Sequence, residues 1–148
     1  MQRRGFLHTV SLAAGLGLLC NALRVFAVWN EKAFTAKSET QALSEFFGGR
    51  AIQSSDAIAI EVLDLIEDGA VVPVQVRTTL PRAQSITLLV QKNPNPLIAH
   101  FALGERCLPA IATRIKVAEP TDVIAVVESE AKLYSARKFV KVMEGGCG

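Results

Sequence analysis

Histidine and cysteine are scarce in this chain: two and three, respectively, in 148 residues. One histidine, His8, falls in a stretch that reads as a removable leader, leaving His100 for the body. No metal-ligand spacing of His and Cys and no Ser-His-Asp pattern appears around it. Neither a G-x-G-x-x-G run nor a P-loop is present, so the usual phosphate cradles are missing too. The apolar stretch Val10 to Leu23 falls short of the ~18 residues that mark a spanning helix. No block of basic residues suggests nucleic acid.

The N-terminus carries an address. Arg3-Arg4-Gly5-Phe6-Leu7 precedes that short apolar stretch, and Val25-Phe26-Ala27 offers small residues at −3 and −1. A basic region, an apolar region and a small-residue site make a secretory signal peptide, and the paired arginines predict the twin-arginine route to the periplasm. An uncleaved membrane anchor is the alternative. Cys20 follows Leu18-Leu19 rather than small residues, which argues against a lipoprotein cysteine. Removing Arg3, Arg4 and Arg24 takes 16 basic against 14 acidic residues to 13 against 14, so the basic balance belongs to the signal. Cys107 and Cys147 then remain, too few for a disulfide framework. Residues 1–27 are assigned to the signal, 28–143 to one domain and 144–148 to an arm, with no membrane segment after signal removal.

The arm is Glu144-Gly145-Gly146-Cys147-Gly148. Glycine visits φ > 0 freely, so the stretch cannot hold one conformation unaided; a flexible arm with an exposed thiol is expected. Fully extended, Met143 to Cys147 spans at most roughly 14 Å. That suits presenting sulfur in another protein's cleft better than holding it against a base at home. A frayed tail with an incidental cysteine is the bland alternative. Prenylation needs three residues after the cysteine, and only Gly148 follows. Glu144 and the terminal carboxylate are anionic, so activation of the thiol has to come from a partner.

Residues 29–47 read as a helical lead-in. Ser38-Glu39-Thr40-Gln41 fits a capping box, Ala42, Leu43, Phe46 and Phe47 share a face, and Gly48-Gly49 stops the helix. From residue 58 the pattern has period two. Strands are expected at Ile58–Val62, Val72–Val76, Ile86–Val90, Leu97–Leu103, Ile111–Val117, Val123–Val127 and Leu133–Met143. Leu97, Ala99, Phe101 and Leu103 fall on one face, with His100 opposite as a structural or solvated residue. Pro73 marks an edge position or a bulge. About seven short strands with regular turns predict an all-β, immunoglobulin-like sandwich. The apolar Val71–Val76 and Ile86–Val90 segments predict a covered surface and thus an obligate heterodimer. Arg137, Lys138 and Lys141 read as solvated, and lie where they could serve an anionic adduct or a partner. Cys107 reads as a small buried residue; if exposed, it would be able to trap Cys147.

Glu67-Asp68-Gly69-Ala70-Val71-Val72-Pro73-Val74, Asn93-Pro94-Asn95-Pro96, Thr113-Arg114-Ile115-Lys116-Val117 and the terminal Gly-Gly-Cys-Gly follow the signal in that order. Together they closely resemble the SoxY family, the sulfur-carrier subunits of bacterial thiosulfate oxidation. The chain stops one glycine short of the family's usual ending. The resemblance implies a sandwich paired with a SoxZ-like second carrier subunit. It implies that Cys147 is the covalent attachment point and that Gly145, Gly146 and Gly148 form the carrier arm. It implies a non-enzymatic carrier with no metal or other cofactor. Partner enzymes do the chemistry: a c-type haem enzyme loads thiosulfate, a manganese-dependent hydrolase releases sulfate, and a sulfur dehydrogenase oxidises the remaining sulfur. A secreted adhesion or assembly module with an incidental tail is the competing reading, and a thiol enzyme a third.

Overall fold

The computed structural model describes residues 30–143. Two short helices come first, α1 (Glu31–Thr35) and α2 (Glu39–Phe47). Ser38 caps α2, its Oγ accepting the Gln41 N–H at 3.2 Å. The return bond of the expected capping box lands one residue early: Gln41 Oε1 accepts from the Lys37 N–H at 3.4 Å. Gly48 closes α2 with φ 64°, a left-handed conformation that costs glycine little.

Nine strands follow: β1 (Ile52–Ser54), β2 (Ile58–Glu61), β3 (Leu65–Ile66), β4 (Val72–Thr78), β5 (Ala83–Val90), β6 (Leu97–Ala102), β7 (Ala110–Ile115), β8 (Thr121–Ser129) and β9 (Lys132–Val142). One sheet runs β1-β9-β8-β5-β6, with β3 also pairing β9; the other runs β2-β4-β7. The seven expected strands are all present. The two additional ones, β1 and β3, are three and two residues long and pair parallel to β9 at its two ends. Segments that short carry no readable period, and their partner lies some 80 residues along the chain.

The two inner faces meet in a core of Val72, Val74 and Val76 against Ile86, Leu88, Val90, Val123, Ala125 and Val127. The opposite face of the larger sheet contributes Leu89, Leu97, Ile124, Val126 and Leu133, which pack under Ala33, Ala42 and Phe47 of the helices. The molecule is therefore a sandwich with a helical third layer on part of one face. This layer explains the unbroken apolar runs of β5 and β8, whose side chains are buried alternately on both sides. Each fully buried aliphatic contributes about 1.5–3 kcal/mol relative to exposure. The cover expected over Val72–Val76 and Ile86–Val90 thus comes from the chain itself. Those segments are no argument for a second subunit.

Pro73 lies in β4, the middle strand of its sheet, yet keeps the edge position expected of it. It pairs with Arg114 on the β7 side. On the other side, β2 ends opposite Gln75, two residues short of it, so the position is locally an edge. Leu97 departs from expectation. The β5–β6 register shifts between Leu88 and Leu89, which face Ala99 and Leu97. That bulge turns Leu97 toward the helices while Phe101 keeps to the sandwich core.

Candidate functional site

The expected site residues Gly145, Gly146, Cys147 and Gly148 lie outside the described residues, as do residues 1–29. What the structure describes is the platform they start from, the end of β9. The Met143 N–H donates to the Ile66 carbonyl at 2.9 Å and the Lys141 N–H to the Asp64 carbonyl at 2.8 Å, so β3 pins the last strand residues.

Three stretches distant in sequence build this end of the sandwich. The Glu67-Asp68-Gly69 turn is closed by Asp68 Oδ1, which accepts the Ala70 N–H at 2.8 Å. Its Gly69 carbonyl accepts the Val117 N–H at 2.8 Å. A Cβ on Gly69 would lie 2.2 Å from the Val117 oxygen and 3.3 Å from Val142 Cγ1, so only glycine fits. The Asn93-Pro94-Asn95-Pro96 turn joins β5 to β6 at the same end. Asn93 is nearly buried; its Nδ2 donates to the Lys116 carbonyl at 2.7 Å and its Oδ1 accepts the Ala118 N–H at 3.2 Å. Lys37 reaches the turn from the helical layer, donating to Asn95 Oδ1 at 2.7 Å. Sequence alone marks these stretches as turns and strands; that they converge at the end of β9 is tertiary information.

The basic residues of β9 differ in their freedom. The Arg137 guanidinium lies 3.0 Å from Glu39 and 3.3 Å from Asp122. Lys138 donates to the Val62 carbonyl at 2.7 Å and pairs with Asp64 at 3.0 Å. Arg137 is solvated as expected and Lys138 partly so, but both are ion-paired within the chain. Lys141 makes no side-chain hydrogen bond or ion pair among the described residues, and is exposed.

His100 is on β6, three strands from β9. Through Thr87 and Val126 it is level with Ser135. Eight residues of strand and three strand spacings separate it from Met143 by about 30 Å, beyond the roughly 14 Å reach of residues 144–147. Its Nδ1 shares a hydrogen bond with Thr87 Oγ1 at 2.9 Å, and its ring lies 4.9 Å from that of Phe46. Burial holds its pKa below the usual histidine value, opposed by the nearby Glu128 carboxylate.

Cys107 is exposed, contrary to the expectation of a small buried residue. It sits in the β6–β7 loop, where its N–H bonds the Gly104 carbonyl at 2.9 Å. That loop leaves β6 at Ala102, level with Leu133 and ten residues of strand below Met143. Cys107 therefore lies in a loop at the far end of the sandwich, where Ala102 is about 35 Å from Met143. A disulfide to Cys147 within one molecule is out of reach.

An open groove of about 1030 Å³ runs past Val62, Leu63, Pro73, Arg114 and Lys138. Its carboxylate, Glu61, is paired with Arg77, and it holds no nucleophile poised on a base. Among the described residues, no group of three His, Cys, Asp or Glu side chains is placed to hold a metal ion, and no helix is long and apolar enough to cross a membrane.

Residues 43–147 match the family model described as sulfur oxidation protein SoxY. The structure is similar to that of the sulfur carrier protein SoxY from Chlorobium limicola f thiosulfatophilum, at 38% identity and a TM-score of 0.67, covering 77% of this chain and 99% of that one. It is also similar to a superoxide reductase (neelaredoxin) from Ignicoccus hospitalis, at 16% identity and a TM-score of 0.53, covering 72% of this chain and 90% of that one. The second likeness is one of fold alone. No curated protein matches.

Proposed function

The chain belongs to the SoxY family of sulfur carriers, and from that premise we propose that it carries thiosulfate-derived sulfur covalently on Cys147. In the first step the Cys147 thiol loses its proton and joins the outer sulfur of thiosulfate. Two electrons leave to a haem enzyme, giving Cys–S–S–SO₃⁻. A manganese-dependent hydrolase then adds water, releasing sulfate and leaving a persulfide on the cysteine. A sulfur dehydrogenase oxidises that remaining sulfur. The chain supplies attachment and delivery, and its partners supply catalysis. A SoxZ-like second carrier subunit completes the complex. Export follows the twin-arginine route, with cleavage after about residue 27, and the carrier works in the periplasm.

One observation carries the non-enzymatic part of this reading. The end of β9 is hydrogen-bonded to the β3 segment, and His100 is about 30 Å away, so a thiol within roughly 14 Å of Met143 gains no histidine base from the described residues. The test is reconstitution with thiosulfate and the haem enzyme, read by intact mass. Wild type gains the mass of one thiosulfate unit, while Cys147→Ser folds normally and gains nothing. A wild type that stays unmodified leaves the adhesion-module reading standing instead.

A further inference from the structure

Among the described residues, nothing covers the outer face of the larger sheet where β9 ends. The helical layer stops at Arg137, which Glu39 of α2 holds at 3.0 Å. Beyond it, side chains on that face alternate as Phe139, Lys141 and Met143. The inward residues of this stretch, Val140 and Val142, pack into the core. Leu65 of β3 lies beside Lys141 in register, as Ile66 lies beside Val142, so Leu65 faces outward too. Leu65 is 54% exposed, Phe139 54% and Met143 52%. Exposed side chains of this size are unremarkable singly; here three adjoin one another around a cation with no ion-pair partner among the described residues.

The length of chain beyond Met143 decides what covers them. Cys147 lies at most roughly 14 Å from Met143, whatever shape residues 144–147 take. A catalytic centre at the bottom of a cleft uses most of that reach simply to be touched. The lip of the cleft must then rest on the surface around Met143. Phe139, four strand residues back, is about 13 Å away, and Lys141 and Leu65 are nearer. We propose that Leu65, Phe139, Lys141 and Met143 form the docking surface for the lip of the visiting enzyme's cleft, a lip that is apolar with a carboxylate opposite Lys141. This rests on the carrier reading of Cys147 and specifies which part of the body the enzymes must touch.

The experiment measures loading of the full exported chain, with its co-purifying partner subunit, by the haem enzyme and thiosulfate at varied carrier concentration. Leu65→Ser/Phe139→Ser should raise KM for the carrier about tenfold, as loss of a two-residue apolar anchor does, with kcat unchanged. Lys141→Glu should raise KM with a reduced salt dependence. Thermal melting and the reaction of Cys147 with a small aromatic disulfide should match wild type in all variants. Inserting Gly-Ser-Gly-Ser after Met143 should narrow the KM gap between the double variant and wild type, because a longer tether needs less of the body. An unchanged KM in the double variant, with wild type loading normally, overturns the docking surface and leaves the carrier reading intact. Loss of the partner subunit from the double variant on gel filtration also overturns it, since the patch is then a permanent interface, as does a wild type that self-associates through it. A wild type that does not load at all removes the carrier reading and this inference together.

Discussion

The Val117 N–H meets the Gly69 carbonyl at 2.8 Å, and the same closeness leaves no room for a side chain on Gly69. This clasp ties the β3–β4 turn to the chain just after β7, directly beside Val142 at the end of β9. Gly69→Ala would force the Val117 carbonyl aside and crowd Val142. The expected cost is roughly 1–3 kcal/mol, the usual penalty for an overpacked site. Denaturant unfolding checks it, through a lower midpoint at unchanged slope.

The far end of the sandwich offers a contrasting prediction. Cys107 is exposed and buries nothing, so Cys107→Ser should alter stability by no more than about 0.5 kcal/mol. Under oxidising conditions wild type should form disulfide-linked dimers and no intramolecular bridge. Non-reducing peptide mapping that finds Cys107 joined to Cys147 in a monomer would contradict the placement.

Much of this arrangement was legible in the residues. Val72, Val74 and Val76 announced a strand with one buried face, and the Phe46-Phe47 pair announced a docked helix. The period-two reading failed where an element has two covers or an irregularity. Ile86–Val90 reads as apolar throughout, and nothing local distinguishes cover by the chain's own helices from cover by a partner. The bulge opposite Leu88 and Leu89 has no marker in Leu97-Ile98-Ala99, so a strict period of two puts Leu97 on the wrong face. Cys107 looked like a core residue because small apolar side chains usually are; its neighbours Glu105 and Arg106 were the available sign of a solvated loop. For the candidate site, the thiol and its glycines stand in the sequence and lie outside the described residues. The gathering of Gly69 and Asn93 beneath Met143 could not be read there, because it depends on contacts 23 to 73 residues apart.

His100 gives the stability a pH dependence. Burial lowers its folded pKa, so the native state favours the neutral ring. The unfolded chain binds the proton more readily, so this contribution is present above the unfolded value of about 6.5 and is lost as pH falls through the folded one. Glu128, itself paired with Arg50 at 2.7 Å, moderates the effect. Guanidinium midpoints should therefore decline between pH 7.5 and pH 5 by more in wild type than in His100→Gln (roughly one pH unit either side of the unfolded value). Parallel curves for the two proteins would show that other groups dominate.

The β8–β9 connection holds a correctable strain. Glu130 and Ala131 form a two-residue turn with φ of 49° and 61°. Turns of this kind favour Asn-Gly because both positions are left-handed. Ala131→Gly relieves the Cβ clash and should stabilise the fold by about 0.5–1 kcal/mol. An increase in the unfolding midpoint checks it; a decrease would mean that the backbone entropy of glycine outweighs the relief.

The most direct test of the carrier reading is peptide mass mapping of the protein taken from cells actively oxidising thiosulfate, without reductant. The predicted result is a sulfur adduct, thiosulfonate or persulfide, on the C-terminal peptide that contains Cys147, with the peptide containing Cys107 unmodified. An unmodified Cys147 under turnover, or an adduct confined to Cys107, would contradict it.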